Sequence, residues 1–395
     1  MMMQTYPSEE QCKTLLQTLV RTNTCQPEGN EEALVDWIVA QLPQDVTQFK
    51  IQNASNRASL IVKLEGDEDD GGVAFVGHLD TVACSEADGW TDPPHGAVVK
   101  DHTLYGRGAC DMKGGDAAML LTLKYLLENK VTLKRPVYFC FTSDEEASGL
   151  GIQSVLSSGY LNAVDAMIVC EPSREQISNS EKGALWIHVA IDGVSAHASR
   201  PTLGINAVEY ASLLSQRIKN MVTAKSVHPI LGPATAAVTK IFGGSMTNII
   251  PAHAEFEMDI RTNPDTSSKD LEGEIDEIID QLLKEAGQVS TRSGQLKISK
   301  TVINNRPAIE TSKDHPLIQT LKAIGAKVGI NTGERGHFFY TDASQFIPQM
   351  HIPFAIAGPG DDALAHCVNE SIDLRSVQRF TKLYINYIMQ TNKKD

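Results

Sequence analysis

The stretch RPVYFCFTSDEEASGLG (135–151) joins an apolar run to three consecutive acids and a glycine-containing loop. Its first part, 135–141, is typical of a buried strand, because it is almost continuously apolar. Asp144, Glu145 and Glu146 follow at the end of that strand, where neighbouring like charges repel one another. Two interpretations are open at this point: a polar loop that ends a strand, or a site that binds a metal cation.

The same alternation of apolar strands and amphipathic helices continues on both sides of this stretch. Strands are predicted within 58–66, 71–80 and 165–170, and helices within 8–43 and 111–129. Short apolar strands that alternate with helices are typical of a mostly parallel sheet that is covered by helices on its faces. The predicted fold class is therefore α/β, with a mostly parallel sheet and flanking helices.

The character of the sequence changes near Glu181. Alternating strand patterns and two long amphipathic helices follow in the order βαββαβ, which is typical of a ferredoxin-like unit. After that segment the chain returns to the earlier α/β pattern. We therefore predict one discontinuous domain formed by 1–180 and 304–395, and an inserted ferredoxin-like domain formed by 181–303.

Composition excludes several classes of partner. The 395 residues carry a formal net charge of −14, which argues against binding to nucleic acid or to an anionic membrane surface. No apolar stretch is long enough for a transmembrane helix, and the first residues do not resemble a signal peptide.

The seven cysteines are scattered, without CxxC pairs, which argues against a disulfide scaffold and a thiolate zinc knuckle. We expect a cytoplasmic protein whose cysteines mainly serve packing.

Residue types that bind metals are concentrated at predicted strand ends and in the loops near them. They are His78, Asp80, Asp111, Glu145, Glu146, Glu171 and His366. Each has an ordinary explanation when taken singly, such as an acid that caps a turn or lies at a helix N-terminus. Together they place acids at the ends of three apolar strands, which is unfavourable unless cations compensate. Two imidazoles and several carboxylates suit zinc, with manganese or cobalt as alternatives.

Six motifs follow one another along the chain. They are GHLDTV (77–82), LYGRGACDMKGG (104–115), TSDEEASGLG (142–151), CEPS (170–173), GVSAHASRPTLGINAV (193–208) and GPGDDALAHCVNES (358–371). This set resembles the signature motifs of the M20 metallopeptidases, and within them the acetylornithine deacetylase and succinyl-diaminopimelate desuccinylase branch. The resemblance covers nearly the whole chain in order, and it implies a zinc-exopeptidase-like catalytic domain with the insertion as a lid and dimerisation domain.

The resemblance implies a site with two Zn²⁺ ions per subunit, for which Co²⁺ or Mn²⁺ are possible substitutes. Asp111 would bridge both ions. His78 and Glu171 would complete the coordination of one ion, and Glu146 and His366 that of the other. The peptide bond that follows Asp111 would be cis.

The resemblance also assigns residues around the ions. Glu145 would act as the general base that activates a water bound to the metal ions. Asp80 would hold the other ring nitrogen of His78. Asp144 receives no role and is explained equally well as a loop acid.

The inserted domain carries further residues that match the family. His197 would reach the active site of a partner subunit and stabilise the developing oxyanion, which implies a homodimer formed through the insertion. Taken alone, His197 is better explained as a polar turn residue. Arg261 and Asn248 resemble substrate-binding residues, and the backbone at Gly358 in GPGDD is a candidate for holding a substrate carboxylate.

The substrate stays open at the level of sequence. The first hypothesis is a di-zinc deacylase of an N-acyl amino acid, of the N-acetylornithine or N-succinyl-diaminopimelate type. The alternative is a dipeptidase or carboxypeptidase that uses the same chemistry on short peptides. A third possibility is a metal-dependent binding or assembly protein without catalysis. GHFFYTDASQF (336–346) departs from the loop typical of desuccinylases, so the acyl group is not fixed.

Overall fold

The computed structural model of the protein describes residues 5–287, 294–392 and 394, which divide into two compact units. The first unit comprises the chain through Ser180, Glu310–Arg335 and the segment from Thr341 onward. The second comprises Glu181–Ile309 and Gly336–Tyr340. The chain returns to the first unit later than residue 304, because the last long strand of the second unit continues to Arg306.

Among the described residues, the α-helices account for most of the amphipathic stretches of the sequence. In chain order they are α1 (Glu9–Arg21), α2 (Glu31–Gln41), α3 (Lys113–Glu128), α4 (Leu150–Ser158), α5 (Ala207–Thr223), α6 (Ser268–Ala286), α7 (Pro316–Val328), α8 (Ala343–Met350) and α9 (Leu374–Thr391).

The strands range from two to ten residues in length. In chain order they are β1 (Thr47–Ala54), β2 (Arg57–Leu64), β3 (Val73–His78), β4 (Val98–Lys100), β5 (Thr103–Tyr105), β6 (Val137–Thr142), β7 (Ala166–Pro172), β8 (Ser180–Glu181), β9 (Gly183–Asp192), β10 (Ala196–His197), β11 (Val227–His228), β12 (Gly232–Pro233), β13 (Thr235–Gly243), β14 (Ile249–Ile250), β15 (His253–Thr262), β16 (Lys297–Arg306), β17 (Ile309–Glu310), β18 (Phe354–Gly358) and β19 (Ser371–Asp373).

The central sheet of the first unit has the strand order β1-β2-β6-β3-β7-β18. The four strands from β6 to β18 are parallel. Strand β2 pairs antiparallel with β6, and β1 pairs antiparallel with β2. The predicted α/β fold with a mostly parallel sheet is therefore confirmed. Strand β1 was not predicted, because it is a half-buried edge strand whose alternation includes several polar residues.

The parallel strands are buried along their length, and helices complete the core of the first unit. The aromatic rings of Phe75 and Phe139 stack at 5.5 Å on neighbouring strands. Tyr384 of α9 packs against Phe75 at 5.0 Å and donates its hydroxyl hydrogen to the carbonyl of Ala357 at 2.6 Å. This packing fixes the strands relative to one another, and with them the edge where β3, β6 and β7 end.

The first two helices start differently. The sequence predicts Ser8 and Asn30 as N-cap residues. Ser8 forms a full capping box with Gln11, as expected. Asn30 occupies the cap position of α2 with φ of 96° and makes no side-chain cap hydrogen bond; its amide instead donates to the carbonyl of Asn23 at 3.2 Å. Its value at that position is its tolerance of the left-handed conformation.

The second unit contains an antiparallel sheet with the order β13-β15-β9-β16. Together with α5 and α6 it has the sequence order βαββαβ, so the predicted ferredoxin-like arrangement is confirmed. One apolar cluster that includes Ile187, Leu214, Phe256 and Ile275 forms its core. The short pairs β10–β14 and β11–β12 are additions to this arrangement.

Within the described ranges, no helix combines the length and apolar character that crossing a membrane requires. The cytoplasmic location stays a prediction.

Candidate metal centre

The candidate metal centre lies at the carboxyl edge of the parallel strands in the first unit. His78 is the last residue of β3, and Glu171 lies near the end of β7. Glu145 and Glu146 follow β6, whose Thr142 lies beside His78 in the sheet register. Asp111, which precedes α3, and His366, which precedes β19, complete the set. Elements distant in the sequence thus meet at the carboxyl ends of the parallel strands, which is where open α/β sheets bind their ligands.

Asp111 lies between the two imidazoles. Its Oδ1 atom is 3.2 Å from Nε2 of His78, and its Oδ2 atom is 3.2 Å from Nε2 of His366. The peptide bond between Asp111 and Met112 is cis, as the family resemblance implies. Each carboxylate oxygen of Asp111 therefore faces a different histidine.

Each histidine has one further carboxylate as a neighbour. Oε1 of Glu171 lies 3.4 Å from Nε2 of His78. On the other side, Oε1 of Glu146 lies 2.9 Å from Nε2 of His366. The result is two groups of donors, each with an imidazole and a carboxylate, that share Asp111.

Burial and neighbouring charges shift the pKa values of these groups. Burial raises the pKa of Glu171 to about 8, with Asp111 adding to the shift. Hydrogen bonds with Asp111 and Glu146 raise the pKa of His366 to about 11. Burial acts to lower the pKa of His78, but the negative charge of Glu171 and the hydrogen bond with Asp111 outweigh it and raise that pKa well above its usual range. The neighbouring carboxylates thus favour positive charge at both histidines, which is the charge that a metal cation carries.

The donor set fits divalent cations. Oε2 of Glu171 is buried and makes no hydrogen bond with the described residues. Donor atoms of His78, Asp111 and Glu146 lie within 4.8 Å of one another, as do those of His78, Glu145 and Glu171. Imidazole nitrogens and carboxylate oxygens at such spacing suit zinc, manganese or cobalt.

Asp80 connects the histidine to the acidic loop. Its backbone carbonyl lies 2.9 Å from Nδ1 of His78, while its carboxylate oxygen Oδ1 is farther, at 3.6 Å. The carboxylate instead accepts from the backbone N–H groups of Glu145 and Glu146, at 3.0 and 3.1 Å. Asp80 therefore orients His78 through its main chain and holds the loop after β6 through its side chain.

Glu145 lies in this loop with its backbone fixed and its carboxyl group close to the other acids. Burial raises the pKa of Glu145 well above its usual range; His78 opposes the shift, and Asp342, Glu146 and Glu171 add to it. Asp342 also accepts a hydrogen bond at 2.7 Å from the hydroxyl of Thr142, at the end of β6. A carboxyl group with a raised pKa is a stronger proton acceptor once it is ionised.

Glu370 is a functional residue that sequence reasoning did not single out. Its fully buried carboxylate accepts hydrogen bonds from the backbone N–H groups of Gly108, Cys110 and Asp111, at 3.1, 2.8 and 2.9 Å. Nη1 of Arg107 donates to the same group at 2.7 Å. Both residues lie inside motifs of the sequence, GRGACD and AHCVNES, so the signal was present without an assigned role. Glu370 fixes the loop that presents Asp111.

Asp144, which had no role in the sequence, belongs to a buried ion-pair network. Its Oδ1 atom accepts from Nη1 of Arg57 at 2.8 Å, and the same nitrogen donates to Glu31 at 3.0 Å. Asp144 also accepts from the backbone of Ser148 and Leu150, at 3.2 and 3.3 Å. With φ of 63°, it turns the chain immediately before Glu145. Asp144 therefore shapes the loop and does not face the metal centre.

The second unit contains His197, the predicted oxyanion-stabilising residue, and Asn248 and Arg261, which are predicted to bind substrate. His197 is exposed, and its Nδ1 accepts a hydrogen bond at 3.1 Å from the backbone N–H of Ser199; the backbone carbonyl of Asn248 accepts from Ala198 in the same short sheet. Arg261 is already paired with Asp259, at 2.9 and 3.0 Å. Any carboxylate that binds Arg261 has to compete with Asp259.

Gly358 lies at the end of β18 with its peptide groups occupied. Its N–H donates to Oγ of Ser173 at 3.3 Å, and its carbonyl accepts from the same hydroxyl at 2.8 Å. A Cβ atom at this position would lie 1.9 Å from the carbonyl oxygen of Cys170. The geometry thus explains Gly358 by close strand packing, and the N–H expected to hold a carboxylate is already used.

Comparison with known proteins agrees with this geometry. Residues 74–390 match peptidase family M20/M25/M40. The chain is 26% identical to a probable succinyl-diaminopimelate desuccinylase of Staphylococcus epidermidis, over 96% of both chains. It is 30% identical to an acetylornithine deacetylase of Pectobacterium carotovorum, over 82% of this chain and 80% of that protein. The fold is similar to that of a tripeptidase from Staphylococcus aureus, with a TM-score of 0.77, 20% identity and coverage of 97% and 98% of the two chains.

The family match covers most of the chain, and it includes every residue of the candidate metal centre. The predicted resemblance is thereby confirmed, and with it the prediction of an enzyme. The chain belongs to peptidase family M20/M25/M40 and is a metal-dependent amidohydrolase.

Proposed function

We propose that this chain hydrolyses the amide bond of an N-acyl amino acid and that it binds two divalent ions, preferably zinc, for this purpose. The observation that carries the proposal is the position of Asp111, whose two oxygens face His78 and His366 at equal distances of 3.2 Å. Glu171 stands on the side of His78, and Glu146 on the side of His366. Asp111 would hold both ions, and each pair would complete the coordination of one.

The chemistry of the site divides between the ions and the chain. Divalent ions in such a site act as Lewis acids on a carbonyl oxygen and increase the acidity of water. The carboxylate of Glu145 accepts a proton from the attacking water and then donates it to the nitrogen of the leaving amine. The backbone hydrogen bond from Glu145 to Asp80 keeps this carboxylate beside the ligands. Partial burial at this edge of the sheet strengthens the electrostatic interactions among these groups.

The substrate class is inferred from the relatives and from the chemistry of the site. The two curated relatives named above are a probable desuccinylase and a deacetylase, both of which are named for the removal of an acyl group. An N-acetyl or N-succinyl amino acid is therefore the first candidate. Short peptides are the second candidate, because the chain shares its fold along nearly its whole length with a tripeptidase. Zinc, cobalt and manganese all remain compatible with the donor set.

We also propose a homodimer formed through the second unit. Strand β13 is an edge of the sheet, since among the described residues it pairs with β15 alone. It exposes Val238, Ile241 and Phe242, at 40%, 54% and 61% of their surface. An exposed apolar edge strand is a template for pairing with another chain. Pairing of two copies along β13 would cover this surface.

The hydrogen bond at His197 leaves the ring nitrogen Nε2 available as a donor to an oxyanion. The backbone N–H of Ser199 donates to Nδ1 at 3.1 Å, so this nitrogen is an acceptor and a neutral ring carries its hydrogen on Nε2. That N–H group is a suitable donor to a developing negative charge. In the proposed dimer, His197 would serve the active site of the partner subunit.

Substitution of Glu145 by alanine tests the assignment of the base. We expect Glu145→Ala to bind two equivalents of zinc and to lose about 10²- to 10⁴-fold in kcat, because a general base is removed while the proposed ligands remain. His366→Ala is the matched comparison and should lose metal as well as activity. Metal content by mass spectrometry and turnover should be measured together. A Glu145→Ala protein with near-normal kcat, or with one metal ion missing, contradicts the assignment.

Glu370→Gln tests whether the backbone hydrogen bonds to the Glu370 carboxylate are needed to hold Asp111 in place for metal binding. An amide nitrogen would meet backbone N–H donors that now face an oxygen, so we expect the affinity for zinc to fall about 10- to 100-fold. Competition with a chelator measures this affinity without relying on turnover. Glu65→Gln, an exposed acid in the same unit, is the control and should bind zinc normally. Unchanged affinity in Glu370→Gln would show that the contact is dispensable.

A hydrolysis screen decides between the two substrate classes. Metal-free protein should be inactive, and zinc, cobalt or manganese should each be tested for restoring hydrolysis of N-acetyl amino acids, N-succinyl amino acids and dipeptides. We expect acyl amino acids to give the highest kcat/KM. Faster hydrolysis of dipeptides would select the peptidase alternative. Failure to hydrolyse any of these substrates with metal restored would contradict the proposed function.

The dimer is tested by charge on the edge strand. We expect the wild-type chain to sediment as a dimer and Phe242→Asp to sediment as a monomer, because a carboxylate would be buried in the proposed contact. Ile303→Asp introduces the same charge at an exposed position of β16, the other edge of the sheet, and should remain dimeric. A monomeric wild-type chain, or a dimeric Phe242→Asp chain with normal circular dichroism, would refute the interface.

A further inference from the structure

A second group of metal-binding side chains lies in the first unit, apart from the ligands proposed above. Sγ of Cys25 is 3.3 Å from Sγ of Cys84, and Nε2 of His95 is 3.7 Å from the first sulfur and 3.6 Å from the second. Cys25 is buried, while Cys84 and His95 are partly exposed. Cys25 lies 59 residues before Cys84, and His95 lies 11 residues after it. The group therefore lacks the CxxC spacing by which such sites are recognised in a sequence. Their donor atoms nevertheless converge on one point.

The distances agree with those of a tetrahedral zinc site. With bonds of about 2.3 Å to sulfur and 2.0–2.1 Å to nitrogen, tetrahedral geometry places sulfur and nitrogen ligands about 3.6 Å apart and two sulfurs about 3.8 Å apart. Both sulfur–nitrogen distances already match. The two sulfurs need to separate by about 0.5 Å, and the loop position and partial exposure of Cys84 allow this. A disulfide would require the two sulfurs to approach from 3.3 Å to about 2.05 Å, which is a larger movement in the opposite direction. It would also leave the position of the imidazole unexplained.

The surroundings of the group are those of metal ligands. Nδ1 of His95 lies 3.3 Å from the backbone carbonyl of Val20, which accepts its hydrogen and leaves the lone pair of Nε2 directed at the sulfurs. The hydroxyl of Thr81 donates to the sulfur of Cys25 at 3.3 Å, which favours the thiolate. These two contacts orient one ligand and stabilise the charge of another.

The two thiols also interact unfavourably when both are ionised. Burial raises the pKa of both thiols, but contacts with His95 and Thr81 bring that of Cys25 down to about 7. Burial and the neighbouring Cys25 then raise the pKa of Cys84 to about 12. A divalent cation between the sulfurs would remove this repulsion as both thiols release their protons to water.

We propose that Cys25, Cys84 and His95 form an additional metal site that takes a zinc-type divalent ion with two thiolates, one imidazole and one open position. The site would clamp two segments that already interact: the backbone N–H of Gln26 donates to the carbonyl of Thr81 at 2.8 Å. The side chain of Gln26 donates to Asp80 at 2.8 Å, so the clamped segments also carry the residue that orients His78 and the acidic loop. An ion bound there would restrict the segments that hold this residue in place.

Cobalt titration of the reduced, metal-free full-length chain tests this proposal. Thiolate ligands give cobalt an intense near-ultraviolet charge-transfer band, which the nitrogen and oxygen ligands of the catalytic centre cannot give. We expect this band in the wild-type chain, together with one bound equivalent beyond those of the catalytic centre. Cys25→Ser, Cys84→Ser and His95→Asn should each lose that equivalent or bind it at least tenfold more weakly. Cys367→Ser, at an exposed cysteine, is the matched control and should keep both band and equivalent.

The readout is independent of the proposed catalytic function, because the band reports thiolate ligation even if the other centre binds no ion or no substrate is hydrolysed. Absence of the band in reduced wild-type chain overturns the site, as does a band that survives in both cysteine variants. A third overturning result is a Cys25–Cys84 disulfide that forms in air while the reduced chain binds no additional ion, which would identify the pair as a redox couple. Circular dichroism confirms that each variant is folded.

Discussion

The repulsion among buried carboxylates at one edge of the central sheet is the constraint on which the rest of the site depends. Asp111, Glu145, Glu146 and Glu171 converge there, and they raise the pKa of the two histidines, His78 and His366, that lie against them. Such an arrangement costs stability in any chain that lacks positive partners. The surrounding hydrogen bonds are consistent with this cost, because they hold the acids in place against repulsion: Asp80 fixes the backbone of one acidic loop, and Glu370 fixes that of the other.

Three adjacent acids show how the chain assigns different tasks to similar side chains. Asp144 pairs with the buried Arg57 and turns the chain in the left-handed conformation. Glu146 pairs with His366 at the other end of the sequence. Glu145 lies between them with its pKa raised by burial and by neighbouring acids. Because Arg57 compensates Asp144, the loop brings two acids, not three, to the centre, and this reduces the charge that cations have to balance.

Much of the fold was predictable because it rests on local apolar patterns. Buried strands such as β3 and β6 are continuous apolar runs, and the position of acids at their ends follows from the parallel sheet. What could not be predicted depends on contacts between distant segments. Glu370 resembles an ordinary loop acid until its carboxylate is seen to accept the N–H of Asp111. The close approach of the Cys170 carbonyl to Gly358, which excludes any side chain there, is likewise a contact between distant segments. Asn30 occupies the predicted cap position without the predicted bond.

The two candidate metal sites would differ in the kind of ion that they select. Carboxylates and imidazoles form a borderline site that accepts zinc, manganese or cobalt, whereas two thiolates and an imidazole favour softer ions. The groups are connected through Gln26, which contacts Asp80 with its side chain and Thr81 with its backbone. Occupation of the thiolate site would therefore restrict the segment that supports Asp80 without supplying a ligand to the catalytic centre. Rigid support of this kind matters most where like charges are held together, because small displacements of a ligand change the balance between attraction to the cations and repulsion among the acids.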